Sequence, residues 1–187
     1  LSFDASIGIS QASVVESEEK LEERIRFIHE SVGTDALVES YIEGRELYVG
    51  VLGNDRLRVL PIWELEFGSM PSGARTIATE KVKHDLEYQQ RHDINVGPAK
   101  DLSPQLVDSI KRAAKRIYRT LELDGYARID FRLAADGIPY YIETNPNPEI
   151  AKVEEFASAA KHDGLEYPDL IQRIVALGIS RAGATGS

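Results

Sequence analysis

Two runs of alternating polar and apolar residues constrain this chain more than any other stretch. They are Tyr126-Ala127-Arg128-Ile129-Asp130-Phe131-Arg132 and Tyr140-Tyr141-Ile142-Glu143-Thr144-Asn145, joined through Ala134-Ala135-Asp136-Gly137. A strand sends alternate side chains to opposite faces, so the pattern and its glycine turn predict an antiparallel hairpin. Arg128, Asp130 and Arg132 then share one face, and so do Glu143 and Asn145, with Ile142 and Tyr140 pointing the other way. If the two polar faces coincide, Arg, Asp, Glu and Asn converge. Asn145-Pro146-Asn147-Pro148 cannot continue a ladder, because proline has no N–H to donate. The chain must turn where Glu143 and Asn145 emerge.

Two carboxylates and a carboxamide are hard oxygen ligands suited to Mg²⁺, which takes few protein ligands and fills the rest of its shell with substrate phosphates. A neighbouring arginine would bind phosphate or a developing oxyanion. The competing reading is a solvated strand face carrying ion pairs. The forced turn beside the cluster favours a site.

The rest of the composition excludes more than it assigns. At 187 residues with 42% hydrophobic side chains, the chain suits one large domain or two small lobes with a real core. A net charge of -9, from 31 acidic against 22 basic residues, argues against nucleic-acid or anionic-membrane partners. An anionic ligand needs local basic groups. The absence of cysteine rules out disulfides and thiolate metal sites and fits a reducing cytoplasm. Nothing resembles a membrane span or signal peptide. Leu1 is not an initiator methionine and opens a loop-like stretch, so the expectation is a fragment whose upstream part is absent.

In chain order, residues 2–10 form a small-residue loop whose backbone N–H groups can cradle a phosphate oxygen, a plain connecting loop being the simpler alternative. Residues 12–15 suit a short strand. Ser17 as N-cap, Glu18 and Glu19 in the first turn, and Leu21, Ile25 and Ile28 at helical spacing predict a helix over 18–31, ended by Gly33. Strands are expected at 36–38, 47–52 and 57–65, the last disturbed by Pro61. From 67 to 100 all periodicity is lost, which marks a functional or disordered loop. Lys81 and Lys83 within it are candidates to reach a ligand phosphate. Ser103-Pro104 starts a long helix with an apolar stripe of Leu106, Ile110, Ala113, Ala114, Ile117 and Leu121, its basic residues being solvated. Further helices are expected around 153–161 and 168–177, and a disordered tail over 181–187.

Taken together, these motifs resemble the C-terminal part of an ATP-grasp ligase, most closely the D-alanine-D-alanine ligase type. In that family a hinge glutamate beside the adenine is followed seven positions later by a glutamate on the ribose, the separation of Glu39 and Glu46. An Arg-x-Asp strand, a metal-bridging glutamate thirteen residues beyond the aspartate, then x-Asn, match Arg128, Asp130, Glu143 and Asn145. The phosphate loop matches Ser6-Ile7-Gly8, and the lid lysine matches Lys83, with Lys81 its competitor. The resemblance covers residues 5–178. It implies an α+β fold, a mainly antiparallel sheet with flanking helices. Residues 1–38 would be a remnant of the central ATP-grasp lobe and 39–180 the C-terminal lobe.

By the same resemblance, Asp130 and Glu143 hold one Mg²⁺ and Glu143 and Asn145 a second, Mn²⁺ being an acceptable substitute. Arg128 steadies phosphate and oxyanion, Ser40, Tyr41 and Ile42 take the adenine, and Glu46 takes the ribose of ATP. The family reaction phosphorylates a carboxylate to an acyl phosphate, which an amine attacks to form an amide. The implied partners are therefore a small carboxylate, an amine, the missing N-terminal domain and, as the family allows, a second copy in a homodimer.

The sequence departs from the family at three places. No lysine precedes the phosphate loop, Pro148-Glu149 stands where a glycine is expected after the metal asparagine, and Val153-Glu154-Glu155-Phe156 replaces a serine-rich stretch that holds the second substrate's carboxylate. These leave the reaction type standing and the substrate open. The alternatives are a non-catalytic nucleotide-binding module of a larger protein, or a structural α+β domain.

Overall fold

The structure, a computed structural model, describes residues 9–185. It divides the chain into two compact units, Leu1–Glu43 with Phe67–Asn95, and Gly44–Glu66 with Val96–Ser187. Of the aperiodic stretch 67–100, Phe67–Asn95 belongs to the first unit. No helix among the described residues is long and apolar enough to cross a membrane.

In the first unit, helix α1 spans Glu18–Phe27, with the Ser17 hydroxyl accepting from Lys20 N at 3.3 Å as its N-cap. A wider π-type turn continues it over Ile28–Val32 and ends at Gly33, whose φ of 75° is the left-handed conformation that glycine adopts without a Cβ penalty. The expected strand at 12–15 is absent, and a 3-10 turn occupies Gln11–Ser13. Its cause is local: Ser10 and Ser13 bond each other's backbone and close the turn. The strand expected at 36–38 does not form either, and residues 35–43 carry no regular structure. Leu37 is 84% exposed, so no buried face rewards extension there. The segment read as one long loop instead contains two short helices, α2 at Glu80–His84 and α3 at Leu86–Arg91, capped by the side chains of Thr79 and Asp85.

The second unit is organised by a sheet of six strands. These are β1 Arg45–Leu52, β2 Arg58–Val59, β3 Trp63–Glu66, β4 Asn95–Pro98, β5 Tyr126–Leu133 and β6 Pro139–Asn145. Their order is β4-β3-β1-β5-β6, with β2 also on β1, and β1 runs antiparallel to β2, β3 and β5. The run expected at 57–65 is split around Pro61 into β2 and β3, because proline cannot donate to the ladder.

One face of this sheet is apolar. Leu47, Val49 and Val51 of β1 and Ala127, Ile129, Phe131 and Leu133 of β5 pack with helix α4, Pro104–Thr120, through Ile110, Ala114 and Tyr118. The Ser103 hydroxyl caps α4 by accepting from Leu106 N, and Pro104 fills the first turn, as expected. The apolar stripe ends differently, however. Leu121 lies past the last helical turn and is 47% exposed, while Tyr118 is buried and donates its hydroxyl to Gly53 O at 2.8 Å. Helices α5, Glu155–His162, and α6, Tyr167–Thr185, complete the unit. Residues 181–185, expected in a disordered tail, continue α6, because alanines favour the helix and Arg181 pairs with Asp124 at 2.9 Å.

Candidate active site

The hairpin forms as its alternation predicts. Gly137, at φ 81°, makes the turn and donates its N–H to Ala134 O at 2.9 Å. β6 ends at Asn145, whose side-chain oxygen accepts from Asn147 N at 3.0 Å, so the Asn-Pro-Asn-Pro segment leaves the sheet where expected. The register decides the central question: Asp130 lies directly opposite Glu143, and Arg128 directly opposite Asn145. Directly opposed residues share a face with Cβ atoms about 5 Å apart, so the four side chains do converge.

One detail differs. The register shifts between Asp130 and Phe131, leaving Ile142 as the extra residue of a bulge, so that Tyr140 opposes Arg132 and Tyr141 opposes Phe131. Tyr140 therefore falls on the same face as Asp130, not the opposite one. A two-residue period cannot reveal an inserted residue.

The site face continues across β1, where Glu46 opposes Arg132, Tyr48 opposes Asp130 and Gly50 opposes Arg128. The Arg128 guanidinium clamps Asp130 with two bonds, Nε to Oδ1 at 2.8 Å and Nη2 to Oδ2 at 2.9 Å. Both groups are buried, at 9% and 4% exposure. Burial works against the Arg128 charge, but the hydrogen bonds to Asp130 and attraction from Asp130 and Glu155 outweigh it and raise its pKa. The guanidinium also lies 4.7 Å from the Tyr48 ring centroid and 3.9 Å from Glu155. Glu46 accepts from Arg132 at 2.9 Å and from the Tyr48 hydroxyl at 2.9 Å. Arg132 donates to Gly44 O at 3.2 Å as well.

The other expected residues are placed as follows. Glu39, Ser40, Tyr41 and Ile42 lie in the irregular segment of the first unit, where Tyr41 faces the Arg75 guanidinium at 5.8 Å. Lys83 is half-buried on α2 and Lys81 exposed. Ser6 falls outside the described residues. The second unit thus brings together Arg128, Asp130, Glu143, Asn145 and Glu46. The remaining candidates belong to the first.

Sequence reasoning gave no role to Tyr48, Arg132 or Glu155. Tyr48 was accessible in principle, because it stands two positions beyond Glu46 on a strand and so shares its face. Glu155 reaches Arg128 from the first turn of α5, a tertiary contact with no local signature.

The donor set fits a hard divalent cation. Asp130 and Glu143 are adjacent carboxylates and Asn145 adds a carboxamide oxygen beside them. Among the described residues no group of three or more His, Cys, Asp or Glu could hold a metal. An ion here would need oxygens from a ligand to complete its shell, which is the habit of Mg²⁺ with phosphates.

The family model described as D-ala D-ala ligase C-terminus matches residues 3–176. The chain belongs to that family. Its relatives include the D-alanine-D-alanine ligase of Desulfotalea psychrophila, 30% identical over 178 residues that cover 95% of this chain and 52% of that protein. Among solved structures it resembles the D-alanine-D-alanine ligase from Coxiella burnetii, with a TM-score of 0.73 at 21% identity, covering 92% of this chain and 42% of that one. The Bacillus anthracis D-alanine-D-alanine ligase complexed with ATP gives a TM-score of 0.69 at 21% identity, over 91% of this chain and 50% of that one. The fold is therefore of the ATP-grasp type, an antiparallel sheet with flanking helices. The chain spans about half the length of the curated relatives it matches.

Proposed function

We propose that this chain is the nucleotide- and metal-binding part of an ATP-dependent carboxylate-amine ligase that works through an acyl phosphate. The observation that carries the reading is the register setting Asp130 against Glu143 and Arg128 against Asn145 within a chain of this family. ATP as the nucleotide is supported by the Bacillus anthracis neighbour, which was solved with it.

In this reading Asp130 and Glu143 hold one Mg²⁺, and Glu143 and Asn145 the other. When bound, the ions neutralise phosphate charge and orient the transferred group. Arg128 contributes a fixed, permanently charged fork for the phosphate and for the oxyanion formed when the amine attacks. Its orientation costs little at the moment of reaction, because buried contacts already hold it. Glu46 takes the ribose hydroxyls, the backbone of Ser40 to Ile42 the adenine edge, Lys83 and the Ser6 loop the phosphates. A cytoplasmic setting, where ATP is supplied, completes the proposal. The altered residues Glu149, Glu154 and Glu155 leave the carboxylate and amine open.

The test is Glu143→Gln in the full-length protein, assayed for ADP release against pools of amino acids and for MgATP binding by calorimetry. The expected result is loss of turnover by roughly a thousandfold or more, with weakened MgATP binding. Retained turnover sinks the metal assignment. If the wild-type protein binds ATP but releases no phosphate with any pool, it is a nucleotide-binding module rather than a ligase.

A further inference from the structure

The proposed roles of Glu46 and Arg128 belong to opposite ends of a nucleotide, yet one buried side chain touches both. Tyr48 is 3% exposed, lies between Trp63 on β3 and Asp130 on β5, and donates its hydroxyl to Glu46 at 2.9 Å. The face of its ring carries the Arg128 guanidinium at 4.7 Å. Glu46 is in turn anchored by Arg132, and Arg128 is anchored by Asp130. The result is a continuous chain, Arg132, Glu46, Tyr48, Arg128, Asp130, running across two strands.

We infer that Tyr48 is a positioning residue that works through both neighbours: its ring face fixes the Arg128 guanidinium and its hydroxyl fixes the Glu46 carboxylate. The inference rests on the ligase reading for its effect on turnover, though not for the geometry. The need for it is plain. Asp130 holds Arg128 with both of its oxygens, and any cation taken up by Asp130 competes for that clamp. The Tyr48 ring is uncharged, makes no demand on Asp130, and keeps the guanidinium in place through such an exchange. Burial first, then the charges of Glu46 and Asp130, push the phenol well above its usual range, so the hydroxyl remains a donor to Glu46 at any working pH.

The two halves of the role are separated by comparing Tyr48→Leu, which removes ring and hydroxyl together, with Tyr48→Phe, which removes only the hydroxyl. Both are made in the full-length protein. Three quantities are read: kcat and KM for ATP in ADP release, the exchange rate of the Arg128 Nε–H in ¹⁵N-arginine-labelled protein, and the thermal midpoint. Tyr48→Leu should lower kcat about ten- to thirtyfold and speed Arg128 Nε–H exchange, and, lacking the hydroxyl too, should raise KM for ATP about as much as Tyr48→Phe does. Tyr48→Phe should keep the slow exchange and raise KM for ATP roughly tenfold, with a smaller loss of kcat.

A folded Tyr48→Leu protein with wild-type kcat and wild-type exchange overturns the ring half. If that variant does not fold, Tyr48→Phe decides: an unchanged KM for ATP overturns the hydroxyl half, and faster Arg128 exchange in this variant, which keeps the ring, overturns the ring half. If the wild-type protein releases no ADP, the ligase reading has failed by itself. The Arg128 exchange rates in the same variants then decide whether Tyr48 holds the guanidinium.

Discussion

At the scale of single residues the site is a problem in buried charge. Arg128 and Asp130 are almost without solvent and satisfy each other through two bonds, so the pair is worth little net but is costly to break. Asp130→Asn leaves the buried guanidinium with Glu155, at 3.9 Å, as its nearest carboxylate. It should destabilise the protein by about 3 kcal/mol. Adding Arg128→Met should recover most of that loss, because the unpaired charge disappears with it. Urea denaturation of both single variants and the double variant checks this, and strictly additive losses would contradict it.

A second residue gives a pH signature. Burial first, then the charges of Glu155 and Glu149, raise the Glu154 carboxyl above its usual 4.5. A carboxyl that binds its proton more tightly in the folded state favours folding below pH 4.5 and loses that contribution as pH rises through its raised value. Glu154→Gln should therefore raise the thermal midpoint at pH 7 and have no effect near pH 4. Because solvent screens this partly exposed group, the gain should be about 0.5 kcal/mol or less and shrink with salt. At this scale the sequence, through a strand's period of two, put Arg128 with Asp130 and Glu143 with Asn145 on one face of each strand, and only the cross-strand register brought the two pairs together. Tyr48 and Glu155 act through neighbours distant in the chain, and no local pattern announces such contacts.

At the scale of elements, legibility followed the strength of the local signal. The capped helices α1 and α4 and the Gly137 hairpin carry start, stop and periodicity in their own residues. Helices α2 and α3 are only five and six residues long, too short to show a stripe. The Ile142 bulge leaves no trace in composition, although it turns Tyr140 to the face bearing the site. Gly50 is a further element-scale device. A Cβ there would stand 2.7 Å from Leu60 Cδ1 and 3.0 Å from Phe156 Cε2, so its absence lets α5 lie directly on β1. Gly50→Ala should cost about 1–3 kcal/mol by overpacking, read from the urea midpoint. Gly50 opposes Arg128, and Glu155 neighbours Phe156 on α5, so the variant should also loosen the Arg128-Glu155 contact. A stable Gly50→Ala protein would mean that α5 shifts without penalty.

For the whole molecule, the unequal cores of the two units matter more than their boundary. Among the described residues, nearly every buried apolar side chain, from Leu47 and Val49 through Ile129 and Phe131 to Phe156 and Leu170, belongs to the second unit. The first contributes Val82 and Ile94, and its helix α1 buries no residue. Sequence patterning anticipated the apolar faces but not this imbalance, because Leu21, Ile25 and Ile28 keep correct helical spacing while remaining only half-buried. Backbone amides open at a cost set by the apolar area that must be exposed, so the two units should not share one stability. Hydrogen exchange resolved by fragment mass should show α1 amides exchanging orders of magnitude faster than those of β1 and β5, which pair along eight residues in the middle of the sheet. Equal protection of α1 and β5 would mean that the two units open as one, and that burial read residue by residue understates what holds α1 in place.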